Sequence, residues 1–257
     1  MSVKTYTFRK IVAPLFIGMV LIAGLSLGAG NAHAGLFDMG KKLLEKTTES
    51  TGAPETLNAE EIGSGLKEAL KVGTERVVGQ LGKTDGFNAD PEIHIPLPGS
   101  LLTARNMLQQ VGMGGMLSDL ELRLNRAAEA ATPKAKALFM QAINDMSLED
   151  VKTIYNGPED AATRYFEQKM SPELATEMRP VVEQSLADVG AVQSYEQVMG
   201  QYRALPFAPD IKTDLSGYVV NKVMAGIFHY LALEEAAIRK DPAKRTTDLL
   251  RRVFGAQ

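Results

Sequence analysis

Between Met116 and Ala131 the apolar residues Leu117, Leu120, Leu124, Ala127 and Ala131 recur at spacings of 3, 4, 3 and 4. That rhythm puts them on one face of a 3.6-residue helix. It returns in Ile62, Leu66, Leu70, Gly73, Val77 and Leu81, and again in Val220, Met224, Ile227, Leu231 and Ile238. Nowhere do several alternating apolar runs follow one another between turns, so no sheet is expected. The pattern predicts an all-α chain: one multi-helix domain of about eight to ten helices, from Asn58 to Gly255, with one extended Pro-rich loop.

Punctuation refines this. Asn58 and Glu61 form a capping-box signature for a helix reaching about Gly82. KTDGFNADPEIHIPLP, from Lys83 to Pro98, breaks the helical pattern with three prolines. Its IHIPL alternation suggests an apolar strap across helix ends, burying Ile93, Ile95 and Leu97 and turning His94 the other way. Helix resumes after Ser100 and stops at Gly112. Thr132-Pro133 and Ser171-Pro172 each read as a cap followed by a first-turn proline, with a kink expected at Pro180. Ser147, with Asp150 three residues on, reads as another cap. Gly157-Pro158 is a turn, Ala191–Leu205 a helix, and PFAPD a loop. Asp214 is expected to cap the longest and central helix, from Leu215 to about Lys240, and Asp241-Pro242 to open the last one.

The first residues read as an export signal. Lys4, Arg9 and Lys10 precede an apolar run from Ile11 to Leu27, followed by Ala32 and Ala34 in A-x-A spacing. Cleavage after Ala34 is expected, with a periplasmic or secreted product; an uncleaved anchor helix is the alternative. Next, Gly35–Lys46 (GLFDMGKKLLEK) forms a short amphipathic helix, joined by a polar linker over residues 47–57 to the domain at 58–255. Leu36, Phe37, Leu43 and Leu44 share one third of the helical wheel, and Lys41 and Lys42 lie opposite. A helix this short does not hold alone in water, so a membrane surface or its own domain must fold it.

Cysteine is absent, which excludes disulfides, thiol chemistry and lipidation at a cysteine. Three of the 28 basic residues and none of the 31 acidic ones lie before Ala34, so the remaining chain carries a net charge of −6. That balance argues against nucleic acid as a partner. Tryptophan is also absent, which disfavours a carbohydrate-stacking groove.

Candidate chemistry is sparse. Asp85, Asp90 and Glu92 sit in an oxygen-rich loop, but their spacing is not that of a calcium loop, and turn chemistry is the plainer reading. Asp119 with Arg123, and Arg126 with Glu129, are spaced to pair on a helix surface. Glu234 and Glu235 flank the apolar stripe of the helix from Leu215, within reach of Arg239, Arg245, Arg251 or Arg252. They fit a structural salt-bridge network, or an acid/base pair. After the signal only His94 and His229 remain; His229 falls opposite the apolar stripe. No H-E-x-x-H, Glu-x-x-His, G-x-S-x-G or G-x-x-x-x-G-K-[ST] pattern occurs, so no catalytic residue, metal site or cofactor is assigned.

The segments GLKEALKVGTERVVGQLGKTDGF, IHIPLPGSL, LELRLNRAAEAATPKAKALF, NGPEDAATRYF, SGYVVNKVMAGIF and EEAAIRKDPAKRTTDLLRRVFG follow one another from roughly Ile62 to Gly255. In this order they resemble the bacterial exported proteins grouped as domain of unknown function 4197. The resemblance implies an all-helical envelope protein of Gram-negative-type bacteria and no reaction. The expected function is therefore that of a periplasmic binding or accessory protein whose partner is an envelope protein or the membrane surface. The rival readings are an envelope hydrolase using Glu234 or Glu235, and a lipid-handling protein with an apolar chamber between helices.

Overall fold

The computed structural model describes residues 57–147, 149 and 151–255. The expected signal, the amphipathic helix at 35–46, the linker up to residue 56 and Asp150 lie outside the described residues. Residues 56–257 belong to one compact unit. Its described residues form eight α-helices and no strand, as the apolar periodicity predicts. None of these helices is long and apolar enough to cross a membrane.

Four long helices carry the fold: α1 (Ala59–Leu81), α3 (Gly115–Asp145), α5 (Ala161–Asp188) and α7 (Leu215–Lys240). They pack as a ring in which α1 meets α3, α3 meets α5, α5 meets α7 and α7 meets α1. At its centre Phe139 of α3, Phe166 of α5 and Phe228 of α7 stack mutually, with ring centroids 5.6–6.0 Å apart. The shorter helices α2 (Leu102–Gln110), α4 (Val151–Tyr155), α6 (Ala191–Arg203) and α8 (Asp248–Gly255) surround this core. α8 lies on α1, α6 on α3, α2 on α6, and α4 between α1 and α5.

Several helix starts follow local chemistry. The Asn58 side chain accepts from Glu61 N at 2.8 Å, and Glu61 returns a bond from Asn58 N at 3.2 Å, the reciprocal pattern of a capping box. Asp214 accepts from Gly217 N at 2.9 Å and starts α7. All five stripe residues of α7, Val220 to Ile238, are buried, while His229 is exposed. Asp241 opens only a 3-10 turn, Pro242–Lys244. α8 begins later, where Thr247 Oγ1 accepts from Leu250 N at 3.2 Å.

The prolines behave differently from the local rule. α3 runs unbroken through Thr132-Pro133, and α5 through both Ser171-Pro172 and Arg179-Pro180. Neither dipeptide starts a helix, and α3, at 31 residues, exceeds the 26 of α7. A proline inside a helix removes one backbone hydrogen bond and costs about 3 kcal/mol. Here each lies in a helix of about eight turns, whose buried face outweighs that loss. The Pro133 ring is also accommodated by its neighbour: a Cβ on Gly82 would lie 2.6 Å from Pro133 Cγ, so the absent side chain at the end of α1 makes the room.

Glycine serves the same purpose between α1 and α8, where a Cβ on Gly65 would sit 2.6 Å from Val253 Cγ2. Gly65→Ala should lower unfolding stability by about 1–3 kcal/mol through overpacking. Adding Val253→Ala should recover part of that loss, read by urea denaturation as a coupling between the two sites.

Candidate functional site

The densest buried polar cluster lies where α7 crosses the start of α5 and the end of α4. Glu235 is 1 % exposed and Arg239 is 8 % exposed. Glu235 Oε1 accepts from Ala162 N at 3.1 Å, and Oε2 accepts from Thr163 N and Thr163 Oγ1, each at 2.7 Å. Glu235 therefore caps α5 from another helix, placing a carboxylate at the positive end of that helix dipole. Arg239 donates Nε to Glu235 at 3.0 Å and approaches it with Nη2 at 2.9 Å. The same guanidinium donates to the Tyr155 carbonyl at 2.9 Å and the Ile154 carbonyl at 3.2 Å, satisfying the end of α4. It also stacks over the Phe254 ring of α8, 5.4 Å from the centroid.

The other residues singled out in this region separate. Glu234 pairs with Arg76 of α1 at 2.9 Å. Arg245 meets no carboxylate among the described residues. It donates instead to the Ile238 and Arg239 carbonyls at 3.0 and 2.8 Å, because the C-terminal carbonyls of α7 are nearer unsatisfied partners. Arg251 pairs with Asp248 at 2.5 Å, and Arg252 pairs with Glu61. On α3, Asp119 pairs with Arg123 at 2.7 Å, and Arg126 with Glu129 at 2.7 Å.

Glu129 has a second role that sequence reasoning missed. It is 4 % exposed, and its Oε1 accepts from Phe87 N and Asn88 N at 3.2 and 3.1 Å. One turn before it, the fully buried Asn125 amide pairs with Ile95, accepting from its N at 2.9 Å and donating to its carbonyl at 2.8 Å. One turn earlier still, Glu121 accepts from Leu97 N at 3.2 Å and lies 3.1 Å from His94 Nε2. Glu121, Asn125 and Glu129 thus form a polar ladder at i, i+4 and i+8 on α3. Glu121 and Asn125 supply the extended strap with bonds that a neighbouring strand would otherwise give, and Glu129 holds the turn that leads into it. Ile93, Ile95 and Leu97 are buried beneath the strap. The signal is present in LELRLNRAAEAA as a polar row, Glu121, Asn125 and Glu129, beside the leucine row, but the local spacing singles out only Glu129, as a partner of Arg126.

From α7, Tyr218 OH donates to the Pro96 carbonyl at 2.9 Å, and Tyr230 OH donates to Asp90. The Asp90 carboxylate, with burial, holds the Tyr230 phenol up at about 12. In the same loop Asp85 binds Asn88 at 2.9 Å and Arg126 at 2.8 Å, and these partners hold its carboxyl below the usual range. Asp90 Oδ1 accepts from Glu92 N at 3.0 Å. Asp85 and Asp90 are thus engaged in turn and helix contacts, and no group of three metal-ligating side chains occurs among the described residues.

Three surface clefts border these elements. An open one of about 570 Å³ is lined by Lys83, Asp85, Asp90, Glu92 and Tyr230. A second, of about 400 Å³, is lined by Thr176, Arg179, Asp214, Tyr218 and Asn221. A third, of about 60 Å³, lies between α3 and α5 with Leu138, Ala142, Met170 and Leu174 under Glu173 and Glu177. Neither Glu234 nor Glu235 lines any of the three, so neither carboxylate faces a substrate there.

An all-helical domain whose buried charges cap helix ends and hold a strap is the class of protein these observations define. The family described as Protein of unknown function (DUF4197) matches residues 56–255, and the chain belongs to it. No curated protein and no solved structure matches the chain.

Glu235→Ala should destabilise the domain by roughly 3–5 kcal/mol in urea, because it strands a buried guanidinium and two amide donors. Replacing both Glu235 and Arg239 by Met should cost less than the two single changes summed. In the second cleft, Arg179 and Gly217 N hold the Asp214 carboxyl down at about 2. Its folded value is depressed, so its contribution is present above about pH 4 and fades as pH falls towards 2. Asp214→Asn should flatten that part of the acid-unfolding curve.

Proposed function

We propose that this chain works by binding, as an exported accessory protein of the cell envelope, with the membrane surface or an envelope protein as its partner. The observation supporting this reading is the use made of Glu234 and Glu235. A general acid or base needs an accessible oxygen at a substrate-sized cleft. Glu235 instead spends both oxygens on Ala162, Thr163 and Arg239, and Glu234 is closed onto Arg76. The two larger clefts are open to the surface and bordered by polar side chains, and the third is too small for a lipid chain, which suits surface contact better than an enclosed apolar ligand.

The amphipathic segment Gly35–Lys46 is the first contact to test. Its apolar third and its lysines match interfacial attachment to anionic lipid. Residues 35–257 should sediment with anionic vesicles at low salt and less so at high salt, whereas residues 47–257 should sediment several-fold less. Equal sedimentation of the two would assign membrane contact to the domain alone. Failure of both would remove the membrane as partner and leave an envelope protein.

A further inference from the structure

Phe207, in the loop between α6 and α7, is 100 % exposed. The next most exposed large apolar side chains, Leu233 at 53 % and Val111 at 51 %, are about half covered. Its backbone is also unusual, with φ at +60°. Ala208 N donates to the Leu205 carbonyl at 3.4 Å, so Leu205-Pro206-Phe207-Ala208 is a β-turn. Proline second and a positive φ third are the marks of a type II turn, whose third position favours Gly or Asn. An aromatic side chain there costs free energy and, being fully exposed, recovers none by packing.

The loop is nevertheless well held. Tyr202 OH donates to the Pro209 carbonyl at 2.9 Å, Ser100 and Thr213 hydroxyls meet at 2.7 Å, and Arg179 grips Asp214 with two bonds. Pro206 and Pro209 fix two more φ angles. The ring is therefore presented outward by a pre-organised turn. Arg203 and Lys212, which flank Phe207 in sequence, are exposed and make no ion pair among the described residues; Asp210 is the acid between them. This local positive excess stands out in a region, residues 56–257, that holds 27 acidic and 22 basic side chains.

We propose that the 203–212 loop is a membrane-docking wedge. Phe207 enters the boundary between headgroups and acyl chains of an anionic bilayer, with Arg203 and Lys212 at the phosphate level. A protein interface of ordinary size buries about 800 Å² per partner around an apolar centre, and this loop exposes one ring. A bilayer needs no such apolar centre: one inserted ring with cations on the same loop adds a second signal to another attachment. The wedge rests on the reading of the chain as an envelope protein and adds a contact independent of residues 35–46. Burying one phenyl ring should raise vesicle affinity roughly 10- to 100-fold.

The chain has no tryptophan, so F207W in residues 35–257 is a single-indole reporter. With vesicles of mixed phosphatidylglycerol and phosphatidylcholine, its emission should move to the blue and be quenched by brominated acyl chains. Sedimentation of the protein with unmoved emission would overturn the wedge and leave membrane contact by the N-terminal segment intact. No sedimentation would overturn both. F207G supplies the complementary readout: a turn that accepts glycine should raise Tm by about 2–4 °C while the fraction sedimented falls. An unchanged sedimented fraction in that folded variant would also overturn the wedge.

Discussion

The Glu235 carboxylate is the point at which this architecture is least able to change. It sits on α7, yet it satisfies the first amides of α5, and through Arg239 it reaches the last carbonyls of α4 and the ring of Phe254 in α8. Four helices therefore share one buried ion pair. Isolated burial of either charge is prohibitive, and burial of the pair is tolerable only when nearly every donor and acceptor is matched. The three-phenyl centre supplies apolar packing without directional preference. The ion pair adds direction, because a helix rotated or shifted by one residue loses its cap.

The strap uses the same principle on a different element. An extended segment inside a helical protein has backbone groups with no helix or sheet to pair them. α3 answers with Asn125 and Glu121 on the strap and Glu129 on the turn before it, and α7 adds the Tyr218 hydroxyl on the Pro96 carbonyl and the Tyr230 hydroxyl on the Asp90 carboxylate. Ile95 and Leu97 can then be buried without stranding their own amides. Polar side chains here do the work of a missing strand, which is how one extended stretch persists among helices.

What the sequence disclosed follows the range of the interactions involved. The Asn58 and Asp214 caps, the apolar rows of α1, α3 and α7 and the buried alternation of the strap were legible, because each depends on residues a few positions apart. The Glu235 cap links residues 72 and 73 positions apart, and the Asn125–Ile95 pair residues 30 apart. Such pairings leave no local trace beyond a polar residue bordering an apolar row. Pro133 and Pro172 misled for a related reason: local stereochemistry predicts a helix start at each, and tertiary packing carries the helix through instead. Arg245 had an adjacent competitor for its donors, the end of its own preceding helix.

Departures from local rules are therefore informative once the fold is known, because most of them are compensated. Pro133 inside α3 meets a glycine that makes room for its ring. The buried acids Glu129 and Glu235 are closed by amides and guanidinium groups. Asp85 takes a positive φ while bonding Asn88 and Arg126, and aspartate tolerates that conformation better than most residues. Phe207 breaks two rules together, conformational and hydrophobic, and among the described residues its ring has no packing to offset them. A sequence agrees with its fold at most positions, and an uncompensated conflict marks a place where another requirement prevails. For an aromatic ring held outward on the loop between α6 and α7, the requirement proposed above is contact with a surface outside the protein.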